Sequence, residues 1–187
     1  FSHELLIEVE EDYCKNLKLN RPQWTVLCQD VRNFSGKEYR GKIDLLSGGV
    51  PCPPFSIAGK QLGNNDDRDL FPEMLRLIDE ISPKAVMIEN VRGLLDKKFD
   101  EYRNSILTAL DNLGYNHHIQ LLNASDYGVP QLRPRVIIIG IRKDLEDTFT
   151  FPQPDHNTPP TVGECLKDLM GSNGWLLLDT WVKMAAG

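Results

Sequence analysis

Short apolar runs, separated by stretches with helical periodicity, constrain this chain more than any other feature of it. Leu5-Leu6-Ile7, Trp24 to Leu27, Ile43 to Leu46, Ala85 to Ile88, His118 to Leu122 and Val136 to Ile139 read as strands. Asp12 to Leu19, Asp69 to Ile81 and Tyr102 to Leu113 read as helices between them. The second of these carries Leu70, Met74, Leu77, Ile78 and Ile81 on one stripe, the signature of a helix with a single buried face. Ser82-Pro83 and Gly114 are stop signals for the second and third. Strands alternating with helices of this length form βαβ units, so the expected fold is α/β, a mostly parallel sheet with helices on both faces. The unbroken Val136-Ile137-Ile138-Ile139 run suits a strand covered on both sides.

Composition narrows the functional classes. The 187 residues are 41% hydrophobic and 26% charged, enough to build a core without disulfides. No run of about 18 apolar residues marks a membrane span, and Phe1-Ser2-His3-Glu4 is not a basic leader. Cys14, Cys28, Cys52 and Cys165 form no C-x-x-C pair and have no histidine at ligand spacing, so no metal is expected. Reduced cysteines fit a cytoplasmic protein. The formal net charge of −6 argues against sequence-independent nucleic-acid binding by this stretch alone, while leaving room for a basic cleft.

The segment Ser47-Gly48-Gly49-Val50-Pro51-Cys52-Pro53-Pro54-Phe55-Ser56 follows the third strand, where ligands bind in open α/β sheets. Pro51 fixes its own φ and Pro53 confines Cys52 to extended conformations. The outcome is a thiol on a stiff loop, a design that suits a nucleophile, although a lone cysteine in such a turn is more often just packed. Glu89 in Ile88-Glu89-Asn90-Val91 closes the next strand and should emerge at the same sheet edge, where desolvation would raise its pKa. In Gln131-Leu132-Arg133-Pro134-Arg135, alternation sends Arg133 and Arg135 to one side if the segment is extended.

Together these residues resemble the DNA (cytosine-5) methyltransferase family. Pro51-Cys52 in P-C-P-P-F-S is similar to its nucleophile motif, Glu89-Asn90-Val91 to its E-N-V motif, and Q-L-R-P-R to its Q-x-R-x-R motif. Asp126-Tyr127-Gly128-Val129-Pro130 matches the stretch before the last of these. The resemblance implies a Rossmann-like S-adenosylmethionine-dependent methyltransferase fold and transfer of a methyl group to C5 of a flipped-out cytosine in double-stranded DNA. It implies Cys52 as the nucleophile at C6, Glu89 as hydrogen-bond donor to N3 and Arg133 as donor to O2. Arg135 would buttress the Cys52 loop.

On the cofactor side, the resemblance implies that Glu8 holds the ribose hydroxyls of S-adenosyl-L-methionine and Asp30 accepts from the adenine amino group. Val9 and Val31 would pack near the base, and Pro51 would line the methionine end. Ser56, Lys60, Gln61 and Arg68 are candidate DNA contacts on a loop that closes over the substrate. Residues 1–150 would form the catalytic domain. Pro152, Pro154, Pro159 and Pro160 mark residues 151–187 as a linker and the opening of a truncated target-recognition region. The family's glycine-rich first motif and its strand are missing from this sequence, so a longer chain or a second polypeptide would complete the sheet. Purified alone, these residues would be unstable and bind the cofactor poorly. Two alternatives remain open on sequence: a relative that methylates cytosine in tRNA, and a catalytically silent DNA-binding homologue.

Overall fold

The computed structural model describes residues 2–51, 69–155 and 158–185. The described residues form six strands and five α-helices, with α1, α2 and α3 each lying between two strands as the sequence predicts. β1 (Leu6–Glu8), α1 (Glu11–Asn20) and β2 (Val26–Cys28) form a first unit, with β1 and β2 parallel. β3 (Leu45–Gly49), α2 (Phe71–Ile81), β4 (Ala85–Val91), α3 (Asp100–Asn112), β5 (Tyr115–Asn123) and β6 (Pro134–Arg142) follow. They build a sheet of order β3-β4-β6-β5. α4 (Val162–Ser172) and α5 (Leu178–Ala185) pack on each other near the end of the chain. Among the described residues no helix is long and apolar enough to cross a membrane.

Three of the four strands in the larger sheet, β3, β4 and β5, share one direction, and β6 is reversed. The reversal has a local cause. A parallel pair needs a crossover of a dozen or more residues, usually helical. Between β5 and β6 there is only residues 124–133, a single 3-10 turn at Ala124–Tyr127 closed by Gly128 in the left-handed region (φ 79°). So β6 returns antiparallel and inserts between β4 and β5.

The core lies on one face of this sheet. Phe71, Met74 and Ile78 of α2 and Ile106 and Leu110 of α3 pack against Val86 and Ile88 of β4, Val136 and Ile138 of β6, and Tyr115 of β5. The stripe read from α2 is the buried face, except that Leu70 stands just before the helix. Tyr115 is 1% exposed, and its hydroxyl donates to the Pro83 carbonyl at 2.7 Å, so burial leaves no polar group unmet. A side chain at Gly140 would come within 2.6 Å of Val86 Cγ2, its register partner's methyl; only glycine lets β6 lie against β4 here.

Both α2 and α3 cover that single face. On the other face, which carries His118 opposite Ile139, the chain after β6 folds back. There His118 Nε2 and Asp147 Oδ2 lie 2.8 Å apart, and the Phe149 ring packs 5.4 Å from His118. The segment read as a linker from residue 151 stays on the domain through Tyr127 Oη to Pro152 O (3.1 Å) and Asp155 N to Asp126 O (2.6 Å).

Candidate active site

β3 and β4 are in register through Gly49 and Glu89 at their carboxyl ends. The Glu89 carboxylate lies over Gly49, with Oε2 at 3.2 Å from where a Cβ would stand, so glycine is what makes room for it. One residue on, the Asn90 side chain, 3% exposed, donates from Nδ2 to the Val50 carbonyl at 2.9 Å and accepts from the Val91 amide at 2.8 Å. Next, the Leu70 amide donates to the Pro51 carbonyl at 3.2 Å. Asp69 in turn takes the Phe71 amide (3.0 Å) on one oxygen and the Tyr102 hydroxyl (2.7 Å) on the other. Pro51 and Leu70 are therefore held together at the carboxyl end of β3.

Cys52, Ser56, Lys60, Gln61 and Arg68 lie outside the described residues. Glu89 is where the sequence places it, at the same sheet edge as Pro51. It is less desolvated than expected, with 37% of its side chain exposed and the Arg135 guanidinium (Nε) at 2.5 Å from Oε1. The reason is its place on the sheet face away from the helices. Arg135, opposite Val91 in the β4–β6 pairing, also donates from Nη1 to the Pro134 carbonyl at 2.9 Å. The described contacts of Arg135 are thus with Glu89 and its own strand. Arg133 precedes β6 with its side chain exposed, and its backbone is held by the Asn123 side chain (2.9 Å) and the Ala124 amide (3.2 Å). Asn90, Asp69 and Tyr102 were not singled out from sequence. Asn90 was readable in the Glu-Asn-Val triplet, whereas nothing local to Tyr102 marks its tie to a residue 33 positions away.

Glu8 and Asp30 each sit at or just past the carboxyl end of one of the two paired strands, β1 and β2. Glu8 Oε1 accepts the Glu10 amide at 2.9 Å. Asp30 caps the 3-10 turn Val31–Asn33, accepting from the Arg32 amide (2.9 Å) and guanidinium (2.8 Å). These contacts, the amide foremost, hold its carboxyl below the ordinary carboxylate range. A carboxylate offers about four acceptor positions, so both acids keep capacity for further donors. Val9 is 59% exposed and Val31 half-buried, an apolar surface between two acceptors. Those acceptors fit an adenosine moiety, whose ribose diol and amino group donate while the base packs on the valines. Cys14 lies beneath, its thiol on the Glu8 carbonyl at 3.3 Å and pushed up to about 11 by burial and by Cys28. Among the described residues no group of His, Cys, Asp or Glu could hold a metal ion.

Against known proteins, the family model for C-5 cytosine-specific DNA methylase matches residues 1–186. The chain is 55% identical over 186 residues to the Type II methyltransferase M.NgoMIV of Neisseria gonorrhoeae, covering all of this chain and 59% of that protein. It is 45% identical over 188 residues to the Type II methyltransferase M.NaeI of Lentzea aerocolonigenes, covering 99% of this chain and 45% of that one. It therefore spans about half the length of these relatives. A DNMT2 variant of Spodoptera frugiperda shares the fold, with a TM-score of 0.68 at 22% identity over 86% of this chain and 50% of that one. The edge formed by β3 and β4, the paired Glu89 and Arg135, and a family match over nearly every residue agree: this chain belongs to the C-5 cytosine-specific DNA methylase family.

Proposed function

We propose that the protein transfers a methyl group from S-adenosyl-L-methionine to C5 of a cytosine flipped out of double-stranded DNA, through a covalent bond between Cys52 and C6. The observation that supports this reading best is the tether of the Cys52 loop. Asn90, the residue after Glu89, holds the Val50 carbonyl, and Leu70 holds that of Pro51, the residue before Cys52.

Cytosine C5 is a weak nucleophile within an aromatic ring. Addition of the Cys52 thiolate at C6 breaks the aromaticity and makes C5 an enamine-type carbon. S-adenosylmethionine, when bound, supplies a methyl group already activated on sulfonium. The chain's own residues then orient and stabilise. The Glu89 carboxyl hydrogen-bonds N3, where charge collects as the thiolate adds. Arg135 keeps Glu89 in place, and Arg133 donates to the cytosine O2. Loss of the C5 proton to a base and cleavage of the Cys52–C6 bond restore the ring and the thiolate. The target atoms are closed off inside a duplex, so the base must leave the stack. Ser56, Lys60, Gln61 and Arg68 would hold the DNA around it. A cytoplasmic location, beside DNA, follows from this reading.

The same reading assigns the sheet a completing strand. Among the described residues β1 pairs only with β2, and β3 only with β4. Exposed edges of this kind carry unpaired backbone groups. A strand from a longer chain or a second polypeptide, lying between β1 and β3, would satisfy both.

Oligonucleotides containing 5-fluorocytosine test the chemistry, because fluorine cannot leave as a proton does and the adduct persists. The intact gene product with S-adenosylmethionine should form a complex stable to denaturation, and Cys52→Ser should abolish it. Trapping that survives Cys52→Ser would assign the nucleophile elsewhere. Trapping on tRNA in place of DNA would change the substrate.

A further inference from the structure

α2 links the two ends of the candidate cofactor site. Its first residue, Phe71, follows the Leu70 amide that holds Pro51. Its last two turns carry the chain that follows Asp30. There Arg76 sits between two acids of its own helix, Nε to Glu73 Oε2 at 2.8 Å and Nη1 to Glu80 Oε1 at 3.0 Å. Its remaining nitrogen, Nη2, reaches across to the Val31 carbonyl at 3.1 Å. The second oxygen of Glu80 takes the Gly36 amide at 2.7 Å and the Ser35 hydroxyl at 3.2 Å. Gly36 lies so close that a Cβ there would stand 2.5 Å from Ile81 Cγ1. Arg40 closes the wrap by donating to the Asp79 and Glu80 carbonyls at 2.6 and 3.1 Å.

A plain surface ion pair would not reach out of its helix. This one has only 31% and 15% of its side chains exposed, and both members bond to the backbone of the Val31–Gly36 segment. Hydrogen bonds to charged groups at partly buried sites are the stronger kind. α2 is about 16 Å long at 1.5 Å per residue, long enough to set the separation between the two ends of a bound nucleoside derivative.

We infer that Arg76 and Glu80 are positioning residues for the methyl donor: they fix the Asp30–Val31 turn, which receives the adenine, relative to the Pro51 end of the site. The inference rests on the cofactor reading above.

Adenosine isolates this end of the site, because it lacks the methionine portion. Binding of adenosine and of S-adenosylmethionine to the intact gene product would be measured by calorimetry, alongside KM and kcat. Arg76→Met and Glu80→Gln should each raise the adenosine dissociation constant about tenfold and the KM for S-adenosylmethionine by the same factor. The kcat at saturation should stay within about twofold, and Arg76→Lys should restore part of the loss. Arg142→Met is the control: its guanidinium pairs with Asp144 and with the carbonyl of Ser82, the residue after α2, and not with the Val31–Gly36 segment, so it should lower the melting temperature and leave adenosine binding unchanged. Wild-type adenosine affinity in Arg76→Met and Glu80→Gln would overturn the inference, as would equal weakening in Arg142→Met. Should Arg76→Met fail to fold, the near-isosteric Glu80→Gln decides. If the wild-type protein binds both ligands and the variants bind adenosine as tightly as it does, the clamp alone is rejected; a wild-type protein that binds neither ligand rejects the cofactor reading itself.

Discussion

Gly49 and Asn90 carry more of the site than their size suggests. At Gly49 the added methyl of Gly49→Ala would press on Glu89 Oε2 and displace the carboxyl by about a few tenths of an ångström from its place beside Arg135. Activity should fall about threefold to tenfold, less than the roughly hundredfold that a displacement near 1 Å brings, while the melting temperature changes little. Asn90→Ala removes the donor to Val50 and leaves that carbonyl without its partner. It should cost about 1–3 kcal/mol of stability and lower kcat more than KM, read by denaturant melts and steady-state kinetics. Much at this scale was legible in the sequence. Glu89 and Pro51 do share a sheet edge, because a βαβ unit sends both strand ends the same way. The ion pair of Glu89 with Arg135 was not, since it depends on β6 lying beside β4. The resemblance implied that Arg135 braces the Cys52 loop, which lies outside the described residues.

Among the elements, strand and helix identities followed from periodicity, and their limits shifted where tertiary pairing overrode the pattern. β4 runs on to Val91 because β6 pairs with it along its whole length, so Glu89 lies within the strand rather than after it. β3 begins later than the apolar run suggested and extends through Gly49, drawn out by pairing with β4. α5 was missed: its Trp-Leu-Leu-Leu approach has no strong period, and Leu177 enters it with φ 62°. α4 was readable from the amphipathic pattern of Val162 to Met170, and the structure adds a Thr161–Glu164 capping box closed in both directions. The β4–β6 contact gives a stability prediction. Gly140→Ala forces a methyl into Val86 and should cost about 1–3 kcal/mol in a chemical melt; Gly140→Ala combined with Val86→Ala should recover part of that loss. The α2 clamp gives a pH prediction. The Gly36 amide first, then Arg76 and Ser35, hold the Glu80 carboxyl below its ordinary range. A depressed acid stabilises the fold above its unfolded pKa and loses that contribution as pH falls through the folded value. Melting temperature should therefore drop in that acidic window, and Glu80→Gln should flatten the drop.

For the molecule as a whole, the α/β fold class was legible, while the division of the described strands into two sheets was not. Among the described residues the strands separate into β1-β2 and β3-β4-β6-β5, and the wrap of residues 31–41 against α2 bonds the chain between the two groups to that helix. Local stability should follow that division. In hydrogen exchange, amides of β4 and β6, which pair along their length, should be protected longest, and those of β1 and β2 should exchange first. Uniform protection across all six strands would contradict the division. The central claim concerns what happens at the edge of β3 and β4, and a structure of the intact gene product trapped on DNA containing 5-fluorocytosine tests it most directly. The account predicts a single extruded base with Cys52 Sγ bonded to its C6 and the Glu89 carboxyl within hydrogen-bond distance of N3. A cytosine still stacked in the duplex, or a sulfur bonded elsewhere with Glu89 turned away, would contradict it.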